Sequence, residues 1–97
     1  MDTIIDKFGI TYTVTRAPLG ARVVVYYVYA GNLSVARAVL RVDLGCISDV
    51  LVYRREDRRR GIATALYDLI EAELGRPLRP SQVRSNKAGR AFWASRR

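Results

Sequence analysis

The chain has 97 residues, of which 17 are Lys or Arg, 9 are Asp or Glu and none is His, giving a formal net charge of +8. That length suits a single domain, residues 1–97, with a small core, and 49% apolar content is enough to fold it. A lone cysteine, Cys46, rules out an intramolecular disulfide and a cysteine-based zinc site, and no metal centre is expected; the lack of histidine removes Ser-His-Asp triads and Cys-His dyads.

The N-terminal stretch MDTIIDKFG lacks a basic region followed by an apolar leader, and no apolar run approaches the ~18 residues of a membrane span. A soluble, cytoplasmic protein without a membrane partner is expected. Tyr12 and Val14 alternate with Thr11, Thr13 and Thr15, a half-buried strand pattern. After a break at Pro18-Leu19-Gly20, the β-branched and aromatic run Ala21–Tyr29 reads as a central strand covered on both faces. Gly31-Asn32 is a turn. Ala36, Ala38, Leu40 and Val42 then share one face, with Arg37, Val39 and Arg41 on the other. Asp43-Leu44-Gly45 turns the chain again, and Ile47–Tyr53 forms a fourth strand of an antiparallel meander.

The period changes after Arg60. Ile62, Leu66, Leu69 and Ile70 recur at helical spacing until Gly75 and Pro77 stop the helix. Leu78–Val83 reads as a further strand weakened by Pro80, and Lys87–Ser95 as a last helix with Ser85 or Asn86 at its N-cap. The order β-β-β-β-α-(β)-α is an α+β domain with a mainly antiparallel sheet.

The charge is uneven. Residues 1–53 carry five basic and four acidic groups, and residues 54–75 carry five of each. Residues 76–97 hold Arg76, Arg79, Arg84, Lys87, Arg90, Arg96 and Arg97 with no acid. Such a segment attracts polyanions, whether nucleic acid, an acidic protein surface or a phosphorylated cofactor; a solvated basic tail is the plain alternative.

The stretch from Leu51 to Leu66 carries the chemistry. A strand runs into the basic loop Arg58-Arg59-Arg60, after which Gly61, Ala63 and Thr64 open an amphipathic helix. The first turn of a helix leaves backbone N–H groups without intrahelical partners and carries partial positive charge, so small residues there let a phosphate approach. An arginine run before an ordinary helix is the competing reading. The pattern is neither G-x-x-x-x-G-K-[ST] nor G-x-G-x-x-G.

Arg58-x-x-Gly61-x-Ala63, between a strand and a helix reading Ala65-Leu66-x-x-Leu69-Ile70, resembles the acetyl-CoA-binding motif Q/R-x-x-G-x-G/A of the GNAT N-acetyltransferase superfamily. Asn86 followed by Phe92-Trp93 is similar to the family's later helix. The resemblance implies that Arg58 and the backbone of Arg59, Arg60, Gly61, Ile62, Ala63 and Thr64 surround the pyrophosphate of acetyl-CoA. It further implies that Leu51, Val52 and Tyr53 pair with the pantetheine arm at a splayed strand end, and that Asn86 touches the cofactor. Asp49 falls where many members carry the acidic residue that relieves the acceptor ammonium of its proton.

The chain departs from the family at several points. Trp93 stands at the usual tyrosine, Asp57 at an aromatic position and Arg55 at a proline. Pro18–Gly20 leaves no room for the early helix pair, and the chain stops at Arg97 before the closing strands. The cofactor half is kept and the acceptor walls are pared away. The implied activity is acetyl transfer to an amine of a large acceptor such as a protein, since an open site cannot enclose a small one. A binding module on a degenerate scaffold of this kind, using the basic C-terminus, is the other reading. An exposed edge strand offers a route to pairing two copies as a homodimer. Cys46 and the tyrosines Tyr26, Tyr27, Tyr29 and Tyr53 read as packing residues; Tyr53 or Tyr67 as a general acid is the minority alternative.

Overall fold

The computed structural model describes residues 2–79. Period-two alternation builds five strands, β1 (Asp2–Ile5), β2 (Thr11–Pro18), β3 (Val23–Ala30), β4 (Leu33–Arg41) and β5 (Cys46–Val52). They pair antiparallel in chain order as one open sheet, β1-β2-β3-β4-β5. A single 3-10 turn (Arg55–Asp57) leads to the helix α1 (Ile62–Leu74). The architecture is α+β.

Four strands were expected before the helix, and there are five. The additional one, β1, is only four residues long, too short for its alternation to stand out. What holds it is its turn: Asp6 accepts from the N–H groups of Phe8 and Ile10 through one carboxylate oxygen, and Gly9 takes φ +84°. Strand β4 begins at Leu33, directly after the Gly31-Asn32 turn, where Gly31 adopts φ +61°.

The core is a single layer contact between α1 and one face of the sheet. Ile62, Leu66, Tyr67 and Ile70 descend the inner side of the helix onto Val14, Tyr26, Val28, Ala36, Ala38 and Leu40. The helix lies across the sheet and reaches both edge strands, β1 and β5. On the opposite face Val25 is buried while Tyr27 and Tyr29 are half-buried. The described residues supply no second layer there, so the expectation of a central strand covered on both faces is met on one face only. At the far end Glu73 accepts from the Tyr26 hydroxyl at 2.7 Å and is bridged by Arg16, which also pairs with Asp2 at 2.5 Å.

Helix α1 ends as its sequence requires, with Gly75 at φ +70° donating its N–H to Glu71 O. The chain then returns beside the start of β5. Arg79 forms a parallel bridge with Cys46 and donates its N–H to Gly45 O at 2.8 Å. This is the first residue pair of the weak strand expected at Leu78–Val83; the rest of it and the helix expected at Lys87–Ser95 lie outside the described residues. No helix among the described residues is long and apolar enough to cross a membrane.

Candidate anion and acyl-carrier site

The site lies at the sheet end where β5 runs out. Here the β1–β2 loop, the β3–β4 turn and the loop into α1 all gather, as the antiparallel order demands. The register of β4 with β5 passes from Val39↔Asp49 to Leu40↔Ile47, leaving Ser48 as an extra residue. Such a bulge bends its strand and increases its twist. Beyond it, Tyr53 donates its N–H to Val35 O at 3.0 Å. Antiparallel ladders alternate, so Leu51 and Asp49 also turn their backbone groups toward β4, while Val50 and Val52 turn theirs to the outer edge. Arg58 agrees with this, its Nε reaching Val52 O at 3.3 Å from outside. Of the three residues assigned to the pantetheine arm, therefore, Val52 presents its backbone outward, and Leu51 and Tyr53 do not.

The start of α1 is bare. Gly61 is its N-cap, in the left-handed region at φ +81°, with no side chain capping the first turn and no acidic residue within it. Ala65 N–H makes the first helical bond, to Gly61 O at 3.0 Å, which leaves the amides of Ile62, Ala63 and Thr64 without intrahelical acceptors. A Cβ on Gly61 would meet Lys7 only at ordinary contact distance, 3.8 Å, so backbone conformation rather than crowding demands glycine here. Arg58 and Arg59 are exposed, and among the described residues neither has a carboxylate within 4 Å. Uncancelled dipole, uncancelled charge and small side chains fit a phosphate group.

Arg60 differs from its two neighbours. Its guanidinium leans toward two buried carboxylates, Asp6 at 3.7 Å and Asp57 at 3.6 Å, and Asp57 is also held by Arg54 Nε at 2.9 Å. Asp6 in turn accepts from the Tyr12 hydroxyl at 2.8 Å, and Arg60 O accepts from Lys7 N–H at 2.9 Å. This polar network fastens the β1–β2 loop to the loop before α1. Burial alone would push the Asp6 carboxyl up, but donation from Ile10, Tyr12 and Phe8, with Arg60 nearby, holds it below its ordinary value of 3.8. Burial, followed by the hydrogen bond to the Asp6 anion, pushes the Tyr12 phenol up. The role of Asp6 and Tyr12 escaped the sequence reading; the only trace of it was an Asp opening a turn that ends at Gly9. Asp57, noted only as an aromatic-position departure, is buried because it neutralises two arginines.

Asp49 stands on the uncovered face of the sheet, three residues before Val52. Its side chain is 51% exposed and pairs with Arg37 on β4 at 3.3 Å. This is the cross-strand pair that competes with a catalytic role. Cys46 is buried and free. Tyr67 is buried on α1, and Tyr53 is exposed at the end of β5. Asn86 and Trp93 lie outside the described residues, and the described residues contain no cluster able to hold a metal ion.

No family model, no curated protein and no solved structure matches the chain.

Proposed function

We propose that the chain is an N-acetyltransferase of the GNAT kind, a minimal member that moves an acetyl group from acetyl-CoA to an amine on a large acceptor such as a protein. One observation carries the reading: an uncapped helix start with no acid in its first turn follows β5 through a basic loop, at the end of the strand where, among the described residues, the outer backbone of Val50 and Val52 meets no neighbouring strand. Arg79 bridges Cys46 in parallel at the start of β5, and the bulge at Ser48 bends the strand beyond that point; both support the reading.

Acetyl-CoA supplies an activated thioester. The amides of Ile62, Ala63 and Thr64, with Arg58 and Arg59, hold its pyrophosphate, and the outward backbone of Val50 and Val52 receives the pantetheine amides once Arg58 releases Val52 O. Asp49 takes a proton from the acceptor ammonium, directly or through a water, so that the nitrogen lone pair can attack the thioester carbonyl; as the C–N bond forms the C–S bond breaks, and CoA leaves as a thiolate that takes up the second nitrogen proton through water. Arg37 fixes the carboxylate from β4 and leaves its outer oxygen to the acceptor. The exposed setting of Asp49 suits an acceptor that brings its own walls.

Acetyl-CoA at millimolar concentration is expected to raise the melting temperature, as any ligand specific to the folded state does. Gly61→Glu removes the shift by placing a carboxylate at the cradle. Since Gly61 has a left-handed backbone, this variant also loses intrinsic stability, so its ligand-dependent shift is the quantity to read. An unshifted wild-type melting curve contradicts the proposal.

A further inference from the structure

The β1–β2 loop places a large aromatic ring in solvent beside the proposed cradle. Phe8 is 65% exposed, although nothing in a four-residue turn requires an aromatic side chain. Its ring is flanked by Lys7 Nζ at 5.3 Å from the centroid and by the Arg60 guanidinium at 5.6 Å. Lys7 has no carboxylate within 4 Å among the described residues, and neither have Arg58 and Arg59. The carboxylates nearby, Asp6 and Asp57, are buried and already engaged by Arg60, Arg54 and Tyr12. The loop is also fixed in place. Lys7 N–H is bonded to Arg60 O, and Lys7 Cβ lies 3.8 Å from the Cβ position of Gly61.

An exposed ring among cations is poorly suited to a purely apolar partner, whose docking would strand those charges. It suits a ligand that pairs a flat base with phosphate. The base stacks on the ring, and the phosphate meets the Lys7 ammonium, which lies beside the ring and which no carboxylate among the described residues neutralises. We propose that Lys7 and Phe8 dock the adenosine 3′-phosphate end of coenzyme A, making the protein selective for acyl groups carried by CoA over those carried on phosphopantetheine alone. This rests on the acetyl-CoA reading above and adds to it the class of carrier. Phe8 provides the stacking face, Lys7 the contact to the 3′-phosphate, and the network through Asp6 and Arg60 keeps both in position before the ligand arrives.

Isothermal titration of the full chain with CoA, 3′-dephospho-CoA and 4′-phosphopantetheine tests this. The wild type is expected to bind CoA most tightly and 4′-phosphopantetheine most weakly. Phe8→Ala is expected to weaken CoA about tenfold, in line with the loss of one stacked base, while Phe8→Trp restores it. Lys7→Gln is expected to bring CoA and 3′-dephospho-CoA to the same affinity. Both side chains are exposed, so unchanged melting temperatures without ligand confirm that the fold is intact. Equal CoA affinity in wild type and Phe8→Ala overturns the inference while leaving the acetyl-CoA reading in place. Failure of the wild type to bind any of the three overturns both. A single-stranded oligonucleotide that binds more tightly than CoA and loses as much on Phe8→Ala also overturns it, because the corner then serves nucleic acid.

Discussion

Asp6 has no exposed side-chain surface, yet it stays ionised because Phe8 N–H, Ile10 N–H and the Tyr12 hydroxyl all donate to it and Arg60 faces it. Its folded-state value lies below 3.8, so its contribution to stability is complete above that pH and is lost as pH falls through the folded value. The difference in urea midpoint between wild type and Asp6→Asn is therefore expected to be constant from about pH 7 to about pH 5 and to shrink below about pH 4. A difference that persists unchanged to about pH 2 contradicts this assignment. Tyr12→Phe keeps the packing and removes one donor from the buried carboxylate, an expected loss of about 1–3 kcal/mol in the same measurement. Apart from the turn signal at Asp6 and Gly9, this network was not legible in the sequence, since its members are spread over Asp6, Tyr12, Arg54, Asp57 and Arg60 and meet only once β1 has joined the sheet.

Strand β5 and helix α1 divide the labour of the proposed site. The helix anchors the site through Leu66 and Ile70, both fully buried, and Leu66→Ala is expected to cost about 2.7–5 kcal/mol in chemical denaturation. The strand offers Asp49 on one face and the outward backbone of Val50 and Val52, where Arg58 Nε reaches Val52 O. If Asp49 is the base, Asp49→Asn lowers turnover by about 10²–10⁴-fold in a CoA-release assay with little change in acetyl-CoA affinity, and Arg37→Gln lowers it far less. Equal losses in the two variants would mark the pair as structural. The elements themselves were largely legible. Helix α1 was expected from Ile62 to its Gly75 stop because apolar spacing and a glycine cap act locally. The faces of β2 and β4 followed from strict alternation at Tyr12/Val14 and at Ala36/Ala38/Leu40. Strand β1 was missed because four residues carry too short a pattern, and the outward turn of Val50 and Val52 was missed because a bulge and a ladder register are properties of a pair of strands.

Across the whole molecule the acidic groups sit where the fold needs them and the basic excess is left over. Asp2 and Glu73 hold Arg16, Asp6 and Asp57 hold Arg60, and Asp49 holds Arg37, while Arg58, Arg59 and Lys7 remain uncompensated among the described residues. The basic run at residues 76–97, most of it outside the described residues, is the sequence feature that supports the alternative reading, a binding module for nucleic acid or an acidic protein. The two readings separate on salt. A polyanion held by that segment loses affinity on a log–log plot with a slope of about −0.9 per phosphate contacted, and Arg84, Lys87 and Arg90 changed together to Ala flatten it by up to about 3. Acetyl-CoA affinity is expected to survive that triple change.

The most direct measurement is isothermal titration of acetyl-CoA into the wild type and into Thr64→Glu. Thr64 is exposed in the first turn of α1, where a glutamate favours the helix and at the same time fills the anion position with its own charge. The account predicts one-to-one binding by the wild type and none by the variant, with the variant melting at or above the wild-type temperature. Equal acetyl-CoA affinity in the two proteins, or no heat of binding in the wild type, would contradict it.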